Sequence, residues 1–115
     1  MDTRYYHNPR CSKSRGALAL LAEHGIAPDT VTYLDTPPSV EELRALVRML
    51  GLPARALLRT GEPVYAELGL ADPSLSDDAL LAAMHAHPIL IERPIFVHGG
   101  RAVISRPIEN VLQLL

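Results

Sequence analysis

The sequence predicts an α/β domain in which a small mixed β-sheet is flanked by helices. Two β-like runs near the start enclose one amphipathic helix, an order typical of a βαβ unit with parallel strands. Two further β-like runs near the end are separated by a Gly-Gly pair, which fits a hairpin. The residues between these halves, about 39–87, show helical patterns. We therefore expect the 115 residues to form one domain, 1–115, with a helical insert at about 39–87.

The βαβ unit begins with a predicted strand over Thr3–Tyr6, which Asn8-Pro9 ends. A helix follows from about Ser12, with small and apolar residues at helical spacing, and Gly25 is suited to end it. The β-branched run Thr30–Leu34 predicts the second strand. This segment therefore predicts one parallel strand pair with its crossover helix.

The insert contains clear signals for helix starts. Ser39 with Glu42 three residues later forms a capping box, and Gly51 is suited to end that helix. Short helical turns are expected over Pro53–Leu70. Ser76 is suited to cap a further helix.

The last part of the chain predicts a hairpin and a helix. Strands are expected over Ile95–Val97 and Ala102–Ile104, joined through Gly99-Gly100. Pro107 is expected at the first position of the final helix, where its missing N–H is harmless. The complete order predicts a thioredoxin-like or glutaredoxin-like sheet of four strands.

Composition narrows the classes of function. The net charge of −2 gives no field that favours nucleic acid or an acidic membrane. One cysteine excludes an internal disulfide and a four-cysteine zinc site, and the scattered histidines lack metal-ligand spacing, so no metal is expected. The start lacks a signal-peptide pattern, and no apolar run approaches the roughly 20 residues of a membrane span. We expect a cytoplasmic protein with no nucleic-acid or membrane partner.

Cys11 is the strongest candidate for chemistry. A lone cysteine in a cytosolic protein is most often a buried apolar residue. Here its neighbours are polar and basic, among them Arg10, Lys13 and Arg15, and it lies where a predicted helix begins. Unpaired N–H groups and the helix dipole at such a place lower a thiol pKa and attract anions. We therefore predict that Cys11 is a nucleophile.

Two nearby side chains are candidates to support its thiolate. Ser14 follows one helical turn after Cys11, in a Cys-x-x-Ser pattern. His7 lies four residues before it across the turn, where an ordinary polar residue at a strand end is the simpler interpretation. Its functional alternative is an imidazole that favours the thiolate by charge or by a hydrogen bond.

Three arginines are candidates for binding an oxyanion. Ten of the eleven cations are arginine, whose guanidinium group binds oxyanions through two parallel hydrogen bonds. One arginine alone is usually a solvated surface residue, but Arg59, Arg93 and Arg106 each lie at an element end or chain break. Such positions allow side chains to converge on one pocket, although the sequence alone does not show that they do. Pro94 follows Arg93, and the dipeptide alone fits an ordinary trans proline before a strand.

These residues together resemble the arsenate reductase family that uses glutathione and glutaredoxin. The resemblance covers nearly the whole chain in order. Its motifs are His7-Asn8-Pro9-x-Cys11-x-x-Ser14-Arg15, Tyr33-Leu34-x-Thr36-Pro37-Pro38, Arg55-Ala56-Leu57-Leu58-Arg59, Tyr65-x-Glu67-Leu68-Gly69-Leu70, His87-Pro88-Ile89-Leu90-Ile91-x-Arg93-Pro94-Ile95 and Arg106-Pro107.

The resemblance implies a thioredoxin-like fold with an added helical region and the reduction of arsenate to arsenite. It implies Cys11 as the nucleophile and Arg59, Arg93 and Arg106 as the catalytic and substrate-binding arginines. It implies that His7 and Ser14 support the thiolate. It also implies a cis peptide bond before Pro94. Glutathione as co-substrate and glutaredoxin as partner are implied, with no bound cofactor.

Two other functions share this nucleophile or this fold. One is a glutathione-dependent thiol reductase or deglutathionylase. Three arginines favour a small oxyanion as the substrate over the peptide that such an enzyme would act on. The other is a non-enzymatic adaptor that binds RNA polymerase, but such adaptors usually carry Cys-x-x-Cys where this chain has Cys11-x-x-Ser14.

Overall fold

A computed structural model describes residues 3–115 of the chain and divides it into two compact units. The first unit comprises residues 3–36 together with Arg93–Leu115. The second, Pro37–Glu92, is inserted in sequence between the two parts of the first. That the whole chain acts as one domain, with an insert of about 39–87, stays a prediction.

The first unit contains a four-stranded mixed sheet, which confirms the predicted fold class. Its strands are β1 (Thr3–Tyr6), β2 (Asp29–Val31), β3 (Ile95–His98) and β4 (Arg101–Ile104), and helix α1 (Ser12–Glu23) joins the first two. They lie in the order β2-β1-β3-β4. β1 pairs parallel with β2 and antiparallel with β3, which pairs antiparallel with β4.

This topology gathers four chain segments at one edge of the sheet. Tyr6, the last residue of β1, pairs with Ile95, the first residue of β3, and Ile95 pairs with Ile104, the last residue of β4. Because β2 is parallel to β1, its carboxyl end lies at the same edge. We call this the upper edge. The segments that follow β1, β2 and β4 leave the sheet at the upper edge, and the segment that precedes β3 enters the sheet there.

The core of the first unit forms where α1 packs on the sheet. Ala17 and Leu21 of α1 are fully buried beside Tyr5 of β1 and Phe96 of β3. Val111, from a 310 helix over Ile108–Leu114, completes the cluster. Apolar burial on one face of α1 thus holds that helix on the sheet.

The second unit is helical and capped as the sequence predicts. Ser39 begins α2 (Val40–Leu50) and its hydroxyl accepts a hydrogen bond from the Glu42 N–H at 3.1 Å. Ser76 caps α4 (Asp77–Ala86) in the same way. Helix α3 (Pro63–Glu67) and two 310 helices, Ala54–Leu57 and Pro88–Leu90, complete the unit.

Buried leucines join the two longer helices of this unit. Leu43 and Leu46 of α2 and Leu80 and Leu81 of α4 are almost fully buried, and the two helices are in contact. Met84, on the same face of α4, has no exposed surface. The insert therefore has apolar packing of its own.

Two predicted elements differ in the structure. β2 ends at Val31 and not at Leu34, because the chain turns at Thr32, whose carbonyl accepts the N–H groups of Asp35 and Thr36. The final helix is a 310 helix in which Pro107 is the N-cap residue and not the first helical residue. β-Branching therefore located β2 correctly but made it too long.

The helices of the described residues are short. Helix α1, the longest among residues 3–115, has 12 residues, whereas a membrane-spanning helix needs about 20. No helix in this range is both long and apolar enough to cross a membrane.

Substitution of Leu21 tests the core of the first unit. We expect Leu21→Ala to lower the free energy of unfolding by about 2–5 kcal/mol, because it removes a fully buried side chain from the α1–sheet contact. Leu112→Ala is the matched control, since Leu112 is 37% exposed, and it should cost less than about 1 kcal/mol. Urea denaturation followed by circular dichroism measures both. Equal losses in the two variants would contradict this packing.

Candidate active site

Cys11 is the N-cap residue of α1, at the end of a tight turn that follows β1. The Cys11 N–H donates to the carbonyl of Asn8 at 3.0 Å, and the Arg10 N–H donates to the Asn8 side-chain oxygen at 3.1 Å. The carbonyl of Cys11 accepts the Arg15 N–H at 3.0 Å, the first hydrogen bond of the helix. Asn8 therefore fixes the turn that presents the cysteine at the upper edge.

The thiol of Cys11 is half-buried, and its surroundings favour the charged form. Burial raises its pKa. The backbone N–H groups of Ser14 and Lys13 and the guanidinium of Arg93 lower the pKa by more than burial raises it, so the pKa falls below the ordinary value of a cysteine. No acidic residue lies in the first turn of α1 to oppose this effect. The predicted place of Cys11 at a helix start is confirmed, and its surroundings are those of a nucleophilic thiol.

Arg93 reaches this thiol because of strand pairing. It lies two residues before Ile95, the partner of Tyr6 across the sheet, and therefore at the same edge as the Cys11 turn. Its guanidinium donates a hydrogen bond to the Cys11 sulfur, and its Nε and Nη1 atoms are buried. The peptide bond between Arg93 and Pro94 is cis. A partly buried guanidinium beside a thiolate is a stronger electrostatic partner than an exposed one, because less water screens it.

Arg106 is held beside Arg93 by a hydrogen bond to the backbone. Its Nε donates to the carbonyl of Arg93 at 2.6 Å, while the side chain remains exposed overall. One residue earlier, the N–H of Ser105 donates to the carbonyl of Pro94 at 2.8 Å. The end of β4 is thus tied to the segment that carries Arg93, which brings two of the three predicted arginines together.

Ser14 and His7 form a hydrogen-bond network below the turn. The buried Ser14 hydroxyl accepts the Asn8 N–H at 3.0 Å and lies 2.7 Å from Nδ1 of His7. The Tyr5 hydroxyl donates to the Ser14 carbonyl at 2.5 Å, and burial raises the pKa of Tyr5 to about 12. These contacts fix the first turn of α1 to β1, and so hold the N–H groups that face Cys11.

His7 bonds to Ser14 in this network, a partner that its spacing from Cys11 did not indicate. Burial, with the nearby charge of Arg15, lowers the pKa of His7, so the neutral imidazole is favoured at neutral pH. Since Ser14 already accepts the Asn8 N–H, its own proton is available to Nδ1 of a neutral ring. Of the two functional roles considered for His7, support by positive charge is the less favoured.

Arg59 belongs to the second unit, and its convergence on Cys11 stays a prediction. Within that unit its guanidinium forms an ion pair with Glu62, with 2.9 Å between Nη1 and Oε1. Its backbone N–H donates to the carbonyl of Leu90 at 2.7 Å. Both partners of the ion pair are largely buried, so Glu62 restricts the directions in which Arg59 can point. Sequence reasoning missed Glu62, although its spacing of three residues from Arg59 was the available signal.

Among residues 3–115, no group of three or more histidine, cysteine, aspartate or glutamate side chains could hold a metal ion. The groups gathered at Cys11 are hydrogen-bond donors and cations. Such a set suits a thiolate and a neighbouring oxyanion.

Reactivity of the thiol tests the Cys11–Arg93 contact. We expect the pH midpoint for alkylation of Cys11 by iodoacetamide to lie below that of an ordinary thiol. Arg93→Gln should raise it, because a neutral amide removes the positive charge beside the sulfur. Arg101→Gln is the matched control, since Arg101 is exposed at the far end of the hairpin, and it should leave the midpoint unchanged. An unchanged midpoint in Arg93→Gln would contradict the contact.

Known proteins are similar to this chain over nearly its whole length. A relative named arsenate reductase, from Neisseria meningitidis serogroup B, is 50% identical over 99% of this chain and 98% of its own length. A protein of the same name from Escherichia coli K12 is 44% identical over 96% of this chain and 78% of its own length.

A solved structure gives the same result for the fold. The structure named arsenate reductase from Vibrio cholerae superposes with a TM-score of 0.97 at 57% identity, covering 100% of this chain and 98% of that one. The sequence model of the ArsC family matches residues 6–114. The chain therefore belongs to the ArsC family.

Proposed function

We propose that this protein is an arsenate reductase that uses Cys11 as its nucleophile, glutathione as co-substrate and glutaredoxin as partner. The observation that carries the proposal is the half-buried thiol at the start of α1, with the Arg93 guanidinium against its sulfur. The names of the relatives support the choice of arsenate. The same thiol with no oxyanion-binding arginine would fit many redox proteins equally well.

Arsenate is a tetrahedral anion, and the donors at the upper edge suit it. Arg93 and Arg106 lie side by side, joined through the Arg93 carbonyl. The N–H groups at the start of α1 add positive potential next to Cys11. We assign substrate binding to these two arginines and, as the family resemblance implies, to Arg59. Three guanidinium groups offset the charge that develops on the arsenate oxygens in the transition state.

The first step joins Cys11 to arsenic. The thiolate sulfur attacks arsenic and one arsenic–oxygen bond breaks. The departing hydroxyl takes up the proton released by the thiol and leaves as water. Arsenic stays pentavalent, because no electrons have been transferred to it. A depressed thiol pKa favours this step by increasing the fraction of thiolate.

Reduction needs two further thiols, because this chain has only one cysteine. Glutathione attacks the arsenic of the Cys11 adduct, and a second hydroxyl leaves with the glutathione proton as water. The glutaredoxin thiolate then attacks the glutathione sulfur, forming a mixed disulfide. The sulfur–arsenic electron pair stays on arsenic, which becomes trivalent, and the glutaredoxin proton passes to an arsenic oxygen. Water finally hydrolyses the remaining bond, releasing arsenite and restoring the Cys11 thiol.

We assign Ser14 and His7 to positioning and not to proton transfer. Their network fixes the turn beneath Cys11, so the N–H groups of the first turn keep their direction. A reaction that consumes reduced thiols requires a reducing compartment, and we therefore place the protein in the cytoplasm. No bound cofactor is needed in this scheme.

A coupled assay tests the proposal. We expect oxidation of NADPH that depends on arsenate in the presence of glutathione, glutathione reductase and glutaredoxin. Cys11→Ser should abolish it, since a serine hydroxyl is not ionised at neutral pH. Omission of glutathione should also stop turnover, because no second cysteine can resolve the adduct. Turnover by Cys11→Ser at the wild-type rate would remove the mechanism.

The same assay separates the arginines and the competing substrate. Arg93→Lys, Arg106→Lys and Arg59→Lys should each lower kcat/KM for arsenate by about 10²-fold, because an ammonium cannot replace a forked guanidinium. Arg101→Lys is the matched control and should retain full activity.

A glutathionylated peptide replaces arsenate in a second set of reactions. Faster turnover of that peptide than of arsenate would favour a deglutathionylase instead.

A further inference from the structure

A cavity of about 190 Å³ lies beside the Cys11 turn and has no role in the mechanism above. Pro9 and Arg10 of the turn form part of its lining. Thr32, Leu34 and Asp35, from the segment that follows β2, form another part. All of these residues belong to the first unit, so the cavity depends on the contacts of that unit alone.

The cavity and the arginines lie on opposite sides of the turn. The turn follows β1, which lies between β2 and β3 in the sheet. The cavity is built on the β2 side, whereas Arg93 and Arg106 start from the β3 and β4 side. A ligand in the cavity therefore lies against the turn that leads to Cys11, without occupying the place that we assign to the oxyanion.

Two opposite charges line this cavity. The side chains of Arg10 and Asp35 are exposed, and neither has an ion pair or hydrogen bond with any other residue from 3 to 115. Asn8 and Thr32 add polar groups. A ligand that carries a carboxylate and an ammonium group close together matches this lining, with the carboxylate on the guanidinium and the ammonium on the aspartate.

The size of the cavity limits what it can hold. Pockets for whole drug-sized ligands are usually about 300–1,000 Å³, and a cavity of about 150 Å³ holds benzene. About 190 Å³ therefore suits one amino-acid unit. The apolar surfaces of Pro9 and Leu34, the latter 38% exposed, can pack against its methylene groups.

We propose that this cavity is a subsite for the γ-glutamyl end of glutathione, whose α-carboxylate and α-ammonium groups form such a zwitterion. This assignment rests on the proposed use of glutathione. The thiol of glutathione belongs to the residue next to the γ-glutamyl group, and two extended residues span about 7 Å. A γ-glutamyl group held beside Arg10 thus places the sulfur within reach of an adduct on the neighbouring Cys11.

Binding of S-methylglutathione, which has no free thiol, tests the subsite without any turnover. Isothermal titration with the full-length protein should show binding that Arg10→Ala and Asp35→Asn each weaken about tenfold, because each loses a charged hydrogen bond. Arg101→Ala and Asp29→Asn are matched controls in charge. Both residues are exposed at the opposite edge of the sheet, and both variants should bind as the wild type does.

A second ligand identifies the part of glutathione that is recognised. S-Methylcysteinylglycine lacks the γ-glutamyl group and should bind more weakly than S-methylglutathione, with no further loss in Arg10→Ala or Asp35→Asn. Free glutamate and S-methylglutathione should shift the same backbone amide resonances, near residues 10 and 35, in two-dimensional NMR spectra. Circular dichroism establishes that each variant is folded.

The outcomes separate this subsite from the proposed function. If both variants bind S-methylglutathione as tightly as the wild type does, the subsite is wrong even when arsenate is reduced. Equal affinity for the ligand without the γ-glutamyl group overturns it as well. A protein that fails the coupled assay but shows the expected loss in both variants keeps the subsite and loses the arsenate reductase function.

Discussion

The structure of the site depends on the interaction between the Cys11 sulfur and the donors around it. Burial of the thiol opposes ionisation, yet two N–H groups of α1 and the Arg93 guanidinium reverse that effect, so the pKa is lowered. Most other contacts at the upper edge serve to keep these donors in place. The Ser14 network holds the helix start, and strand pairing holds the segment with Arg93. Together these contacts favour the thiolate form of Cys11.

The sheet topology explains how a few residues are sufficient to surround the Cys11 turn. A parallel pair and an antiparallel hairpin share one edge, so the segments after β1, β2 and β4 and before β3 meet there. The thiol follows the strand in the middle of this group. The Arg93 guanidinium approaches the thiol from the hairpin side, with Arg106 bonded to the Arg93 carbonyl, and a small polar cavity adjoins the Cys11 turn on the β2 side. In our proposal these two sides receive the two substrates, the oxyanion and the peptide thiol.

Much of this arrangement could be predicted from the sequence, and the rest required contacts that are distant along the chain. Local patterns located the strands, the capped helices and Cys11 at a helix start. They made β2 too long, because a turn at Thr32 depends on two hydrogen bonds that β-propensity does not describe. The contact of Arg93 with Cys11 depends on strand register, whereas the family resemblance implied only that Arg93 binds the oxyanion. Arg10 and Asp35 line one cavity because β1 and β2 are adjacent strands, a neighbourhood that local patterns do not describe.

Direct titration of the Cys11 sulfur is the measurement closest to the central claim. The ultraviolet absorbance of the wild type, recorded against pH with that of Cys11→Ser subtracted from it, isolates the Cys11 thiolate because the chain has no other cysteine. A titration midpoint below the ordinary value of about 8.5 for a free cysteine is the result predicted here. A midpoint at or above that value would show that burial outweighs the helix start and Arg93, and would contradict the assignment of Cys11 as an activated nucleophile.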